Sequence, residues 1–189
     1  MGHRVGAHCP ASVTCVTIHS THPFLEPEGD RDPVRRLRGR LGGTVSLWTA
    51  GAVDGERAGL TVTSWMVAGG EPGRVLGLLY PDADLTDVLL DTGRGVLQLL
   101  TWAERGLADA FAGTEPAPGG PWRMAGWRGT DHGPLLEAAT TWAALEVESD
   151  AEVGWSRLVT CRAVEVVVGG DTDPLVHRRG RYLTPSTHS

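Results

Sequence analysis

Hydroxyl side chains collect at the ends of strand-like runs in the first half of the chain. They are Thr61, Thr63 and Ser64, with Thr86 further along. Hydroxyls and backbone amides can hold a phosphate by hydrogen bonds without a cation, and the sequence contains no lysine. The spacing of Thr61 and Thr63 places both side chains on one face of a strand. The pattern indicates a phosphate-bearing ligand, while the alternative is that threonine is simply a good strand former.

Several familiar kinds of active site are missing from the sequence. It has no GxGxxG after a strand and no GxxxxGK[ST], and it lacks GxSxG and HExxH. Without lysine, a side-chain Schiff base is excluded. Apart from the first 31 residues and the tail, the histidines are His132 and His177, so acid–base catalysis has few candidates. These exclusions favour a protein whose ligand performs the reaction, and a flavin ring, which accepts hydride itself, suits that role.

Composition describes an ordinary globular chain of one domain. It has 189 residues, 41% hydrophobic and 21% charged, with a net charge of -6. The acidic total argues against a nucleic-acid partner. No apolar run is long enough to span a bilayer, and no secretory signal is present, so we expect no membrane partner and a cytoplasmic location. The three cysteines cannot form a disulfide framework.

Residues 1–31 differ from the rest and are predicted to be a flexible leader. They are rich in His, Thr, Ser and Pro without a sustained period. Five of them belong to zinc-binding residue types: His8, Cys9, Cys15, His19 and His22. Their spacing matches none of the usual zinc arrangements, so no metal site is predicted.

The elements that would position the hydroxyls are mostly strands. Alternation and turn residues predict strands at 44–50, 58–64, 74–80, 96–100, 140–148 and 156–168. Asp32-Pro33 opens one helix, Asp84 caps a second at 84–91, and the capping box Thr101–Glu104 starts a third that ends at Gly113. Residues 114–134 read as a long loop of the kind that often serves as a lid.

Strands joined mainly by hairpin-length connections predict a mainly β protein. We expect an antiparallel split β-barrel with a few short capping helices. The alternation of strands and crossover helices that a doubly wound sheet requires is missing from the sequence.

Residues 33–184 resemble the flavin reductase family, whose fold is the FMN-binding split barrel. The segment AGLTVTSWMVAGGEP is similar to that family's AGMTVSSF-type segment and its Pro-containing turn. The runs PVRRLRGRLGGTVSLWTA, DLTDVLLDTGRGVLQLL and GPLLEAATTWAALEVE resemble further family segments in the same order. The run PLVHRRGRY resembles its closing PLLYHRGRY. The predicted domain is therefore a flavin reductase-like domain at residues 32–185.

The resemblance implies a function and partners. We expect an enzyme that binds FMN, with FAD as an alternative, and transfers hydride from NADH or NADPH to the flavin. It further implies a homodimer and a partner monooxygenase that receives reduced flavin. No catalytic side chain is strictly required for this reaction.

The resemblance also implies which residues bind the cofactor. Along the ring and ribityl chain these are Thr61, Val62, Thr63, Ser64 and Trp65. Near the phosphate they are Asp84, Leu85 and Thr86, and the strand that follows α-helical residues 84–91 supplies Gln98 and Leu99. The closing motif supplies Arg179, Gly180 and Tyr182.

Three departures from the family pattern keep other functions open. Met66–Gly69 replaces a Thr-Ser-Val-Ser run, Gly95 replaces an aromatic residue, and Trp155-Ser156 replaces an Asp-His pair. The last change favours an alternative in which the protein holds or shuttles flavin without NAD(P)H reductase activity, or uses another redox partner. The loss of hydroxyls at Met66–Gly69 favours a third alternative, a barrel without cofactor that acts as an interaction partner.

Overall fold

The computed structural model describes residues 32–170 and 172–184. The predicted leader, with its zinc-type residues, lies outside this range. The chain divides into two compact units, Met1–Leu37 and Arg38–Ser189. In the first unit, the described residues begin helix α1 (Pro33–Leu41), where Asp32 Oδ1 accepts a 3.2 Å hydrogen bond from the amide of Val34. Everything that follows concerns the second unit.

Strands make up the largest share of the described chain, which also has two further α-helices and two short 3-10 helices. The strands are β1 (Gly43–Thr44), β2 (Ser46–Gly51), β3 (Arg57–Val62), β4 (Trp65–Ala68), β5 (Arg74–Leu79), β6 (Arg94–Leu99), β7 (Trp127–Thr130), β8 (Gly133–Leu136), β9 (Trp142–Val153), β10 (Ser156–Val167), β11 (Val176–Arg178) and β12 (Arg181–Leu183). The α-helices are α2 (Asp84–Thr92) and α3 (Arg105–Phe111), and the 3-10 helices are Trp102–Glu104 and Pro121–Met124.

Seven strands form one curled antiparallel sheet in the order β3-β2-β6-β9-β10-β5-β4. A small sheet of β1, β11 and β12 and the hairpin β7–β8 complete the second unit's β-structure. The long strands β9 and β10 pair along their whole length, with register shifts at Thr160/Cys161 and Ala163/Glu165. Such bulges bend a strand and increase its twist, which helps the sheet to curl. The predicted fold class, a mainly β antiparallel split barrel, is confirmed.

The main core lies inside the curl of this sheet. Trp48 on β2 is 1% exposed and packs there with Leu79, Leu145 and Val159. Its ring needs the space left by a glycine, because a Cβ on Gly77 would lie 2.8 Å from Trp48 Cη2. The sheet can therefore close around a tryptophan only where β5 carries no side chain.

Helix α2 lies against the sheet, and Asp84, which was predicted to cap it, is its first helical residue. Ala83, not Asp84, occupies the N-cap position, so the prediction that Asp84 caps the helix was wrong. The helix ends as predicted at Gly93, which has a φ of 67° and donates its amide to the carbonyl of Leu89 at 3.0 Å. Leu89 then fills the space beside Gly95, where a Cβ would lie 2.6 Å from Leu89 Cδ1.

The predicted long loop at 114–134 contains regular secondary structure beyond residue 120. It contains the second 3-10 helix and the hairpin β7–β8. Trp122 and Trp127 from this region pack edge-to-face on Phe111 of α3, with ring centroids 5.0 and 5.8 Å apart. The aromatic side chains hold the segment on a second hydrophobic cluster, which includes Leu47, Leu107 and Leu175. This is not the arrangement of an open lid.

Two boundaries near the predicted ligand segment also differ from the prediction. Strand β3 ends at Val62 instead of Ser64, and the short edge strand β4 was not predicted. Thr63 and Ser64 therefore lie between two strands, where the strict alternation of strand side chains no longer applies.

Candidate functional site

The chain from Thr63 to Trp65 lies where several elements end together. The carbonyl of Ser64 accepts a 2.8 Å hydrogen bond from the amide of Leu78, near the end of β5. Tyr80 is the first residue after β5. Its carbonyl accepts a 2.8 Å hydrogen bond from the hydroxyl of Thr86 in the first turn of α2. These contacts bring the predicted ring segment and the predicted phosphate turn to one end of the sheet.

The hydroxyls of Thr63 and Ser64 are the ones at this end that a ligand could use. Both residues are half-buried, and within residues 32–170 and 172–184 neither hydroxyl has a hydrogen-bond partner. The hydroxyl of Thr61, in contrast, donates to the carbonyl of Ala108 at 2.7 Å. A partly buried hydroxyl gains more from a ligand when it has no internal bond to give up.

Several predicted site residues are buried in the protein. Val62, Leu85 and Thr86 are 4%, 1% and 2% exposed. Gln98 is fully buried, where its Oε1 accepts from the amide of Leu136 at 2.7 Å and its Nε2 donates to Thr49 Oγ1 at 3.3 Å. These side chains already have partners or neighbours in the protein, so they shape and stiffen the site.

The indole of Trp65 links the site to the small sheet. Its Nε1 donates a 3.2 Å hydrogen bond to the carbonyl of Thr44 on β1. The ring is half-buried against the main core, as is Leu99. Because β1 pairs with β11, the hydrogen bond fixes the start of β4 relative to the hairpin that carries the closing motif.

The closing motif forms the tight turn of hairpin β11–β12. Arg179 and Gly180 are exposed and have φ values of 53° and 76°, as a two-residue hairpin turn requires. The amide of Arg179 donates to the carbonyl of Gly39 at 2.9 Å. Tyr182 turns inwards, and its hydroxyl donates to Oδ1 of Asp109 on α3 at 2.6 Å.

The charges around the predicted phosphate turn are acidic. Asp84 and Asp87 both lie in the first turn of α2, and Asp84 is exposed. A carboxylate there repels a phosphate, so any phosphate would have to be held by backbone amides and the helix dipole. The two carboxylates instead suit a ligand group that donates hydrogen bonds.

Two titratable side chains near the closing motif, His177 and Tyr182, are uncharged at neutral pH. Burial lowers the pKa of His177 below its ordinary value of 6.5, while the charge of Asp109 opposes that shift. Burial and the hydrogen bond to Asp109 raise the pKa of Tyr182. Burial also raises the pKa of the Cys161 thiol to about 12, which leaves it unreactive.

Beside this site lies a hollow that the sequence did not indicate. Its volume is about 300 Å³, and its walls include Arg57, Asp84 and Trp122. Arg57 and Trp122 stand far apart in the sequence, and no motif connects them.

Among the described residues, no group of three His, Cys, Asp or Glu side chains could hold a metal ion. None of the described helices has the length and apolar character needed to cross a membrane.

The family to which this architecture belongs is identified by sequence comparison. The family described as "Flavin reductase like domain" matches residues 38–186. The chain belongs to the flavin reductase family. The prediction made from the motifs is thereby confirmed.

Two relatives of this flavin reductase family member show moderate identity. The FMN reductase (NADH) RutF of Stutzerimonas stutzeri (strain A1501) is 28% identical over 153 residues, which cover 80% of this chain and 87% of RutF. The reductase component of the FADH(2)-dependent resorcinol hydroxylase of Rhizobium sp. (strain MTP-10005) is 29% identical over 165 residues, covering 86% and 91%.

Solved structures show the same fold as this flavin reductase family member. The NADH:FAD oxidoreductase SgcE6 of Streptomyces globisporus C-1027 superimposes with a TM-score of 0.73 at 19% identity, covering 97% of this chain and 96% of SgcE6. The flavin reductase of the styrene monooxygenase from Pseudomonas putida S12 gives a TM-score of 0.69 at 21% identity, covering 82% and 99%.

Proposed function

We propose that this protein is a flavin reductase that transfers hydride from NADH or NADPH to a flavin held beside Thr63 and Ser64. The observation that carries the proposal is the pair of half-buried hydroxyls that have no partner in the described chain. When bound, a flavin supplies the redox chemistry, because its ring accepts the hydride. The protein then has to bind, orient and partly enclose the ring.

The residues divide between direct contact and support. We assign Thr63 and Ser64 to hydrogen bonds with the polar edge of the flavin, and the half-buried Trp65 to one wall of its site. Backbone amides at the start of α2, from Asp84 onwards, would hold the phosphate. Val62, Leu85, Thr86, Gln98 and Leu99 act from behind this surface, and Arg179, Gly180 and Tyr182 close the site from the small sheet.

The relatives support a role as the reductase of a two-component system. Their names include an NADH-dependent FMN reductase and the reductase component of a hydroxylase. We therefore include in the proposal that this protein supplies reduced flavin to a partner monooxygenase. A cytoplasmic location is part of the same proposal, and the free, buried thiol of Cys161 is compatible with a reducing compartment.

The outer face of the sheet supports a homodimer. Met66 lies opposite Leu76 in the ladder of β4 and β5, and therefore on the same face as Leu78. Met66, Leu78 and Tyr80 are 65%, 40% and 60% exposed. Exposed apolar groups clustered on one face favour association. Sedimentation should give a dimer for the wild type and a monomer for Leu78→Glu, whereas a wild-type monomer at micromolar concentration would contradict this part of the proposal.

A second candidate function remains because of one exposed residue. Trp155, at the tip of hairpin β9–β10, stands in place of the family's Asp and is 91% exposed. Without the family's Asp-His pair, the chain could bind flavin and pass it on without oxidising NAD(P)H.

Two measurements on the purified protein test the proposal. Titration with FMN and with FAD, followed by quenching of flavin fluorescence, gives the affinity. Oxidation of NADH or NADPH at 340 nm, with and without flavin, gives the activity. We expect both binding and flavin-dependent turnover. Binding without turnover would favour the second candidate, and the absence of binding would contradict both.

A further inference from the structure

A groove beside the proposed flavin site combines an aromatic wall with one cation and one anion. It has a volume of about 300 Å³ and lies between the start of β3, the start of α2, the end of α3 and the second 3-10 helix. Arg57 and Ala58 line it from β3, Asp84 from α2, Ala110 from α3 and Trp122 from the 3-10 helix. The smallest cavities that hold organic ligands have about this volume.

The Arg57 guanidinium is fixed in a defined plane. Its carbon lies 4.7 Å from the centroid of the Trp122 ring, and one of its nitrogens donates a hydrogen bond to the carbonyl of Val53. Trp122 is itself held by edge-to-face contacts with Phe111 and Trp127, at 5.0 and 4.6 Å. A planar cation held on an indole presents a flat surface on which an aromatic ring can stack.

The groove also offers a hydrogen-bond acceptor. The Asp84 carboxylate is exposed there and can only accept when ionised. Ala110 and Phe111, the last residues of α3, and Gly113 just after the helix also line the groove. A ligand in this groove therefore needs a flat aromatic ring with donor groups, and a negative charge near Arg57.

We propose that this groove binds the adenylate part of a dinucleotide. Adenine has a flat face and an exocyclic amine that donates hydrogen bonds, and its phosphate can pair with a guanidinium. Gly59 of β3 lines the groove and lies four residues before Thr63, which is roughly 13 Å at the rise per residue of an extended chain. A dinucleotide can span that separation, so the groove and the hydroxyl segment can hold the two ends of one ligand.

This inference rests on the proposed function, since two dinucleotides in that reaction carry an adenylate. One is FAD, which would then be preferred over FMN. The other is NADH or NADPH. The chemistry of the groove is the same for both, and the experiment separates them.

The test uses one variant that fills the groove and one that removes its cation. Ala110→Leu places a larger side chain in the groove and retains a good helix former. Arg57→Leu removes the guanidinium. The matched control is Arg105→Leu, because Arg105 makes the same kind of contact with Trp102, at 5.1 Å, and donates to its carbonyl at 3.0 Å outside the groove. Thermal unfolding of each variant shows that it is folded.

Affinities for AMP, FMN and FAD and the KM for NADH are measured for each folded variant. We expect the wild type to bind AMP, and both groove variants to weaken AMP binding at least about fivefold while the control does not. If the affinity for FAD falls in parallel and that for FMN does not, the groove holds the flavin adenylate. If flavin affinities stay constant and the KM for NADH rises with FMN as acceptor, it holds the adenylate of the donor.

Equal binding of AMP, FAD and NADH by the wild type and the groove variants would overturn the inference. Failure of the proposed function has a different signature. In that case neither flavin binds and no NADH is oxidised, while AMP binding still responds to Ala110→Leu and Arg57→Leu.

Discussion

The hydroxyl of Tyr182 on β12 lies 2.6 Å from Oδ1 of Asp109 on α3 and donates a hydrogen bond to it. One residue earlier on that helix, the carbonyl of Ala108 accepts the hydroxyl of Thr61 at 2.7 Å. Helix α3 therefore connects the closing hairpin to strand β3. Two residues that the sequence suggested as ligand contacts serve, in the folded chain, to fasten the elements around the site.

Replacing Tyr182 with Phe tests the first of these bonds. We expect the variant to lose about 1.5 to 3 kcal/mol of unfolding free energy at pH 8, the usual net value for a hydrogen bond to a charged acceptor. The pKa of Tyr182 is raised in the folded state, so its contribution is fully present below the ordinary pKa of 10 and is lost as the pH rises through the folded value. Denaturant titrations between pH 8 and 11 should show the difference from wild type shrinking. A constant difference would contradict this role.

Two conservative substitutions separate the threonines of the predicted ligand segment. Thr63→Val removes a hydroxyl that has no partner in the described chain, so we expect nearly unchanged stability and a flavin affinity lowered about tenfold, equivalent to roughly 1.4 kcal/mol. Thr61→Val removes the bond to Ala108, so we expect a loss of about 1 kcal/mol in stability. Fluorescence titration and thermal unfolding of both variants provide the comparison. A larger loss of affinity in Thr61→Val would reverse the assignment.

The family and fold were predictable because the family's motifs occur along most of the chain in the right order. Turn residues such as Gly93 fixed the end of α2, and the capping box was also correct, with Glu104 Oε2 accepting from the Thr101 amide at 2.7 Å. Local signals of this kind depend on neighbours in sequence, which a single sequence contains.

The partners of individual polar groups could not be predicted, because they come from distant segments. Gln98 forms hydrogen bonds with Leu136, 38 residues away in sequence, and with Thr49, 49 residues away. Likewise, the region at 114–134 has no period of its own, and its order comes from Trp122 and Trp127 packing on Phe111. Which hydroxyl is free for a ligand is a tertiary property.

The glycine that replaces the family's aromatic residue has a packing role that can be measured. A Cβ on Gly95 would lie 2.6 Å from Leu89 Cδ1 and 3.2 Å from the carbonyl oxygen of Thr49. We expect Gly95→Ala to lower the unfolding free energy by about 1 to 3 kcal/mol through overcrowding. In the double variant with Leu89→Ala, the cost should be less than the sum of the single costs, because the smaller side chain removes the clash.

A matched glycine substitution serves as the control for Gly95. Gly106 lies in α3 with nothing within 4 Å of its would-be Cβ. Gly106→Ala should therefore leave stability unchanged or raise it by up to about 1 kcal/mol, through its better helix propensity. Urea titrations of the four variants provide the free energies. If the losses of unfolding free energy in Gly95→Ala and Leu89→Ala add up in the double variant, the packing of α2 does not depend on a glycine at position 95.

The exposed hairpin tip decides between the two candidate functions. Val153 pairs with Ser156 across a two-residue turn in which Gly154 has a φ of 59°. Because Trp155 is 91% exposed, its replacement by Ala should change the unfolding free energy by less than about 0.5 kcal/mol. The double substitution Trp155→Asp with Ser156→His restores the family's Asp-His pair. Because changes at this exposed tip should hardly affect stability, a difference in activity between the double variant and the wild type would reflect the restored pair.

For a flavin reductase, we expect the wild type to oxidise NADH or NADPH in the presence of flavin, and the double substitution to change kcat by no more than a few fold. For a flavin carrier, the wild type would bind flavin without turnover, and the restored pair would raise the rate by about two orders of magnitude, the lower range of what a positioned acid or base contributes. Steady-state kcat and KM for both donors, measured beside flavin affinity, distinguish these outcomes. Because hydride transfer to a bound ring needs orientation more than a protein acid, the first outcome is the one expected.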